Sequence, residues 1–205
     1  MASAPSPLYT IGYGAREIDA FLAALRRYGI AYLIDVRTSP TSRYKPDFGR
    51  ERLEEHLRRA GIRYVFMGDT LGGRPNDPTC YDADGRVDYA NVAERDFFRA
   101  GLDRLASAHA QGLAACLMCS EGKPENCHRT KLIGKALVAR GLPVAHIDEN
   151  DELITQDDVL LRLTGGQPSL FGDALLPGSS RKRYTVPDEE EDEEEESTDF
   201  TDDTD

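Results

Sequence analysis

No stretch of this 205-residue chain approaches the roughly 20 apolar residues that a membrane-spanning helix needs. Residues 1–7 hold no Lys or Arg and lead into no long apolar run, so no secretory signal is expected. Cysteine is scarce: there are four, Cys80, Cys116, Cys119 and Cys127. Three of them crowd together late in the chain, which is not the spread of a disulfide framework. A reducing, cytoplasmic setting is the expectation. Basic residues are absent from residues 188–205, which carry thirteen Asp and Glu. The net charge of −12 therefore misleads, because residues 1–187 hold 25 basic and 24 acidic side chains, a net +1. A block of like charges with a single aromatic, Phe200, cannot bury enough surface to offset its ordering entropy, and a tail without fixed structure is expected. A sharper alternative has the tail fold back on Arg181-Lys182-Arg183 and imitate nucleic acid. The loop Gly12-Tyr13-Gly14 stops short of a dinucleotide fingerprint, and no internal repeat is visible.

What is present alternates between two periods. Leu8 to Gly12 is a short apolar run, and Ile18, Phe21, Leu22 and Leu25 then recur at helical spacing before Gly29. Further strands are expected at Ala31 to Val36, Ile62 to Met67, Leu113 to Met118 and Val144 to Ile147. Helices are expected at Arg50 to Ala60, Val92 to Ala110 and Cys127 to Arg140, with Thr155 capping a last one over Gln156 to Leu163. Gly68 to about Asp88 is rich in Gly, Pro and Asp and reads as irregular. The pattern predicts an α/β domain: a three-layer open sheet of about five mostly parallel strands with helices on both faces. Its bounds are residues 8–166, followed by a linker or C-terminal extension over 167–187 and the acidic tail over 188–205.

In such a sheet ligands bind beyond the carboxyl ends of the strands, which selects four loops. The richest runs from Cys119, where a buried strand emerges, to Cys127-His128-Arg129, where a helix begins. Orphan N–H groups there favour negative charge, a thiolate or a bound anion. Glu121 and His128 are acid–base candidates, and Arg129 offers a bidentate fork. The competing reading is that each cysteine is a small apolar filler. Cys116 and Cys119 have C-x-x-C spacing, but an odd offset on a strand points them to opposite faces. Cys119, Cys127 and His128 offer three metal ligands, yet the tight four-ligand zinc spacings are absent, so metal-dependent activity is the lesser option and no metal is assigned. A second loop brings Arg37, Ser42, Arg43 and Lys45, with Asp35 and Arg37 placed to form a structural ion pair. A third opens Gly68 to Arg74, where Gly72 and Gly73 let backbone approach a ligand closely or simply turn.

These residues carry a resemblance. Thr10-Ile11-Gly12-Tyr13, Ile34-Asp35-Val36-Arg37, Pro40, Ser42-Arg43, Phe48 and Leu71-Gly72-Gly73 precede Met118-Cys119-Ser120-Glu121 and Cys127-His128-Arg129. Together they resemble the domain of unknown function 488 family across about residues 8–147. Tyr13-Gly14 stands where that family commonly has His-Ser, and Ser120 where alanine is frequent. The resemblance implies an α/β domain and no established activity. The chain is more faintly similar to rhodanese-like and cysteine-phosphatase folds. However, Glu125 stands six residues after Cys119, where the arginine that closes their anion cradle would be, and it is expected to repel an anion.

Two functions of different class follow. The first is an enzyme acting on a phosphate-bearing, nucleotide or nucleic-acid substrate, with Cys119 or Cys127 as nucleophile. In it Arg37, Ser42, Arg43, Gly72, Gly73, Arg74 and Arg129 hold the anion. The second is a non-catalytic module binding a nucleotide or nucleic acid through the same loops. No particular cofactor or protein partner is indicated, and no membrane is involved in either reading.

Overall fold

The computed structural model describes residues 6–163 and 178–184. The chain runs through β1 (Leu8–Gly12), α1 (Ile18–Arg27), β2 (Tyr32–Asp35), α2 (Arg50–Arg59) and β3 (Arg63–Phe66). It continues through α3 (Gly68–Leu71), α4 (Tyr89–Glu94), α5 (Asp96–Ala110) and β4 (Ala115–Cys119). A π-helical turn over Arg129–Gly134 then leads into α6 (Lys135–Ala139), β5 (Val144–Ile147), β6 (Leu153–Thr155) and α7 (Gln156–Leu163). The six strands lie in the order β3-β2-β4-β1-β5-β6. The first five are parallel, as expected, and β6 is an antiparallel edge strand that the sequence reading did not anticipate. Its three residues are too few to show a period of two. None of the helices among the described residues is long and apolar enough to cross a membrane.

β4 is buried along its whole length, as a central parallel strand must be. Its side chains alternate between the two cores. Cys116 and Met118 join Phe21, Leu25, Leu53 and Leu57 beneath α1 and α2. Ala115, Leu117 and Cys119 join Phe98, Leu102, Leu105 and Leu132 on the other side. The opposite-face reading of Cys116 and Cys119 is thus what the fold shows.

Three local expectations are corrected. The helix expected over Val92 to Ala110 is two, because Arg95 is extended and Asp88 caps the first, accepting from the Ala90 and Asn91 amides. The irregular stretch after Gly68 contains α3 and a single 3-10 turn over Pro78–Cys80. The helix expected from Cys127 starts as the π turn. Cys127 itself is extended (φ −115°, ψ 146°), and the Gln156 side chain donates to the Thr130 carbonyl at 3.3 Å, entering the helical ladder. The helix at Gln156 does start on Thr155, whose hydroxyl and amide pair with Asp158 as a capping box.

Part of the stretch read as linker belongs to the folded body. The Gly178 and Gly85 carbonyls accept from the Tyr89 and Tyr184 amides, and Ser180 exchanges hydrogen bonds with Val87. Residues 178–184 therefore form a strap along residues 85–89. It is held by three main-chain bonds and by the Ser180 hydroxyl, which leave no apolar periodicity to read. The acidic tail lies outside the described residues.

Candidate functional site

The strand order reverses where β4 enters between β1 and β2, and a cleft of about 360 Å³ opens there, beyond their carboxyl ends. Gly12 is in register with Cys119 and Asp35 with Met118, so Tyr13, Arg37 and Cys119 arrive together at its floor. Cys127 and His128 close one side, Gly73 and Arg74 another, and Arg181, Lys182 and Tyr184 of the strap a third.

His128 connects the two sulfurs. Its Nε2 lies 3.1 Å from the Val36 carbonyl, which can only accept, so Nε2 carries the hydrogen. Nδ1 then faces Cys119 Sγ at 3.7 Å and Cys127 Sγ at 3.8 Å. In the neutral ring Nδ1 is a proton acceptor aimed at both thiols. Both cysteines are buried. The Cys127 thiol, as donor, lowers the Cys119 pKa well below the usual thiol range; burial opposes this, and His128 and the Arg129 charge reinforce it. Cys127 moves the other way, pushed up by burial and by the negative Cys119 beside it. Burial disfavours charge on His128, but the Cys119 thiolate and the Val36 carbonyl outweigh it and raise its pKa. The site therefore favours one thiolate, on Cys119, beside a protonated imidazole.

Arg37 sits on the same floor, 5% exposed. Its Nε and Nη2 donate to the two Asp35 oxygens at 2.9 and 2.6 Å, the ion pair expected from sequence. Its guanidinium lies 5.5 Å from the centre of the Tyr13 ring, and Tyr13 stacks on Phe48. Arg37 Nη1 has no hydrogen-bond partner among the described residues. A buried charged donor without a partner costs free energy unless a ligand meets it.

Arg129 has a different place from the one expected. It is wholly buried, does not line the cleft, and donates to the Glu121 carbonyl at 2.6 Å and the Gly122 carbonyl at 2.9 Å. Its fork grips the Cys119–Cys127 loop from the side away from the cleft. Gly12 makes room: a Cβ there would fall 1.7 Å from the Glu121 oxygen and 2.3 Å from Arg129 Nη1. The other expected residues divide. Gly73 lines the cleft, its backbone so close that a Cβ would sit 2.9 Å from the His128 ring. Gly72 lies behind it, packed on Gly68 and Thr38. Arg74 lines the cleft with its guanidinium over the Tyr184 ring, and Glu121 lines it paired with Arg181 at 3.3 Å. Ser42 and Arg43 do not line it: Ser42 accepts from the Tyr13 hydroxyl at 3.3 Å, and Arg43 is exposed. Lys45 is tied to the Ala15 and Arg16 carbonyls and to Glu17. Glu125 does not line the cleft either; its carboxylate faces Arg162 at 4.0 Å. Sequence reasoning missed Tyr13, Tyr89 and Tyr184 as lining residues, and connected Arg181 and Lys182 only with the tail.

Among the described residues four cationic side chains line the cleft, Arg37, Arg74, Arg181 and Lys182, against Glu121 as the one carboxylate. Arg37 is balanced by Asp35 and Arg181 by Glu121, which leaves Arg74 and Lys182 in excess among those residues. The class this fold and site define is an open-sheet α/β domain with a Cys/His centre at its switch point. Residues 17–135, more than half of the chain, match the family described as domain of unknown function DUF488, and the chain belongs to that family. Comparison with curated proteins and with solved structures finds no match.

Proposed function

We propose that this protein is a thiol-dependent enzyme acting on a phosphate-bearing substrate, with Cys119 as its nucleophile. The observation that carries this reading is the His128 ring, fixed by the Val36 carbonyl so that Nδ1 faces Cys119 at 3.7 Å on the floor of a cation-lined cleft. His128 takes the Cys119 proton and returns it to the leaving oxygen, while the Cys119 sulfur bonds to the electrophilic centre. Arg37, with Arg74 and Lys182, supports the phosphate.

A binding module for a nucleotide or nucleic acid, without chemistry, is the second reading. Its supporting observation is the aromatic wall of Tyr89 and Tyr184, with Arg74 stacked on the latter at 5.2 Å.

Alkylation of the reduced, metal-free protein with iodoacetamide near neutral pH, mapped by mass spectrometry, separates the two. Cys119 should react faster than a free thiol, and inorganic phosphate or a mononucleotide should slow it. Cys116, whose pKa burial pushes far up, should stay silent. Ligand binding by calorimetry together with a sluggish Cys119 would leave the second reading standing and overturn the first.

A further inference from the structure

Cys119, Cys127 and His128 each present one ligand atom, and these three atoms all lie within 4.8 Å of one another. Tetrahedral zinc, with Zn–S near 2.3 Å and Zn–N near 2.0–2.1 Å, sets ligand separations of about 3.6 Å for S···N and about 3.8 Å for S···S. The two S···N distances, 3.7 and 3.8 Å, are already at that spacing. The sulfur pair needs to close by no more than about 1 Å to reach it. The other ring nitrogen, Nε2, is engaged by the Val36 carbonyl. Metal-bound histidines commonly make this outer contact, and it fixes the tautomer that leaves Nδ1 free to coordinate. All three residues line the cleft, so a fourth coordination position faces its open space. Sequence names these three residues but does not show that they converge, because Cys119 ends a strand while Cys127 and His128 follow a loop that folds back over it.

We propose that Cys119, Cys127 and His128 form a Zn²⁺ site with its fourth position open to the cleft, and that the bound metal masks both thiols. Two thiolates and one imidazole suit a borderline-soft divalent ion, and two sulfur charges neutralise it in a buried place. On binding, each Zn–S bond replaces an S–H bond where the thiol is still protonated. Those protons pass to solvent, and no oxidation state changes. The site does not depend on Cys119 serving as a nucleophile; where it does, the metal-loaded form is its resting state.

The test uses the full reduced chain, stripped of metal, titrated with Zn²⁺ against a chromophoric chelator. The expected result is one Zn²⁺ per chain at sub-micromolar affinity, with Cys119 and Cys127 both protected from iodoacetamide. Co²⁺ should give the intense visible bands of a tetrahedral ion together with thiolate-to-cobalt charge transfer. Cys127→Ser and His128→Asn, checked for folding by circular dichroism, should each weaken Zn²⁺ binding at least tenfold. The wild-type cobalt spectrum stands if either variant fails to fold. An octahedral cobalt spectrum without thiolate bands, or no stoichiometric Zn²⁺ uptake, would overturn the proposal. Slowing of alkylation by phosphate is read on metal-free protein, so failure of the enzyme reading and failure of the metal site are separate results.

Discussion

Arg129→Lys separates a structural arginine from an anion ligand. In the structure the guanidinium gives one N–H to each of two carbonyls, Glu121 at 2.6 Å and Gly122 at 2.9 Å, inside a fully buried site. A lysine ammonium keeps the charge but not the planar fork that reaches two acceptors at once. One carbonyl is left without its donor, and a lost charge-assisted hydrogen bond in a buried place costs about 2–3 kcal/mol. With a urea m-value of about 2 kcal/mol/M for a domain of this size, the unfolding midpoint should fall by about 1 M. Because the positive charge remains behind the loop, the iodoacetamide rate of Cys119 in the folded variant should stay within a few-fold of wild type. If Arg129 were instead an anion ligand, stability would hold and mononucleotide affinity would drop. An unchanged urea midpoint with clearly weakened phosphate or mononucleotide binding refutes the structural assignment.

Two further substitutions probe the frame of the site. Gly12→Ala puts a methyl 1.7 Å from the Glu121 backbone oxygen, which cannot swing aside as a side chain would. It should destabilise by about 3 kcal/mol or more in chemical denaturation, and a fully stable variant with wild-type thiol reactivity would show that the loop is not where we place it. His146 is buried between the Thr10 hydroxyl at 2.8 Å and the Gln156 side chain at 2.9 Å, and burial pulls its pKa down to about 4. Since the unfolded ring titrates near 6.5, the unfolded state binds more protons between the two values, and stability falls as pH drops through that window. Urea unfolding at pH 7 and pH 5 should differ by about 2 kcal/mol from this group, and a His146→Gln chain lacking that difference confirms the source. Equal slopes in the two proteins would place the acid sensitivity elsewhere.

The sequence carried the architecture because each signal was local. The apolar spacing of Ile18, Phe21, Leu22 and Leu25 and the short runs at Leu8, Tyr32 and Val144 each sit inside one element. The pairing of β5 with β6 was not legible, because three residues show no period. At the site, residue types could be read but directions could not. Arg129 lies two residues beyond Cys127, and no periodicity reveals that the π turn sends its guanidinium behind the loop and away from the cleft. Tyr13 stands where the family commonly has histidine, and sequence does not show that its ring lines the cleft and stacks on Phe48 at 4.3 Å. The strap was hidden for another reason. Its contacts to residues 85–89 are mostly main-chain hydrogen bonds, with the Ser180 hydroxyl accepting from the Val87 amide, and such bonds leave no hydrophobic pattern in the sequence.

These placements give the two halves of the site different foundations. Cys119 sits in the sheet: its carbonyl accepts from the Tyr13 amide at 3.1 Å on one side, and Val36 donates to the neighbouring Met118 carbonyl at 3.1 Å on the other. His128 is then referred to the same strand register, because its Nε2 meets the carbonyl of Val36, the residue before Arg37. The distance between sulfur and imidazole is thus set by β2 and β4, two buried neighbouring strands, rather than by the polar loop over residues 120–126. Arg129 does the opposite. It leaves the strands alone and holds that loop by its carbonyls, which fixes the wall of the cleft that carries Glu121 and its partner Arg181. The Cys119–His128 pair draws its rigidity from the sheet, and the cleft wall draws its shape from one buried arginine. If the proposed anion site is right, damage to the wall should therefore alter which anion fits before it alters whether Cys119 is a thiolate.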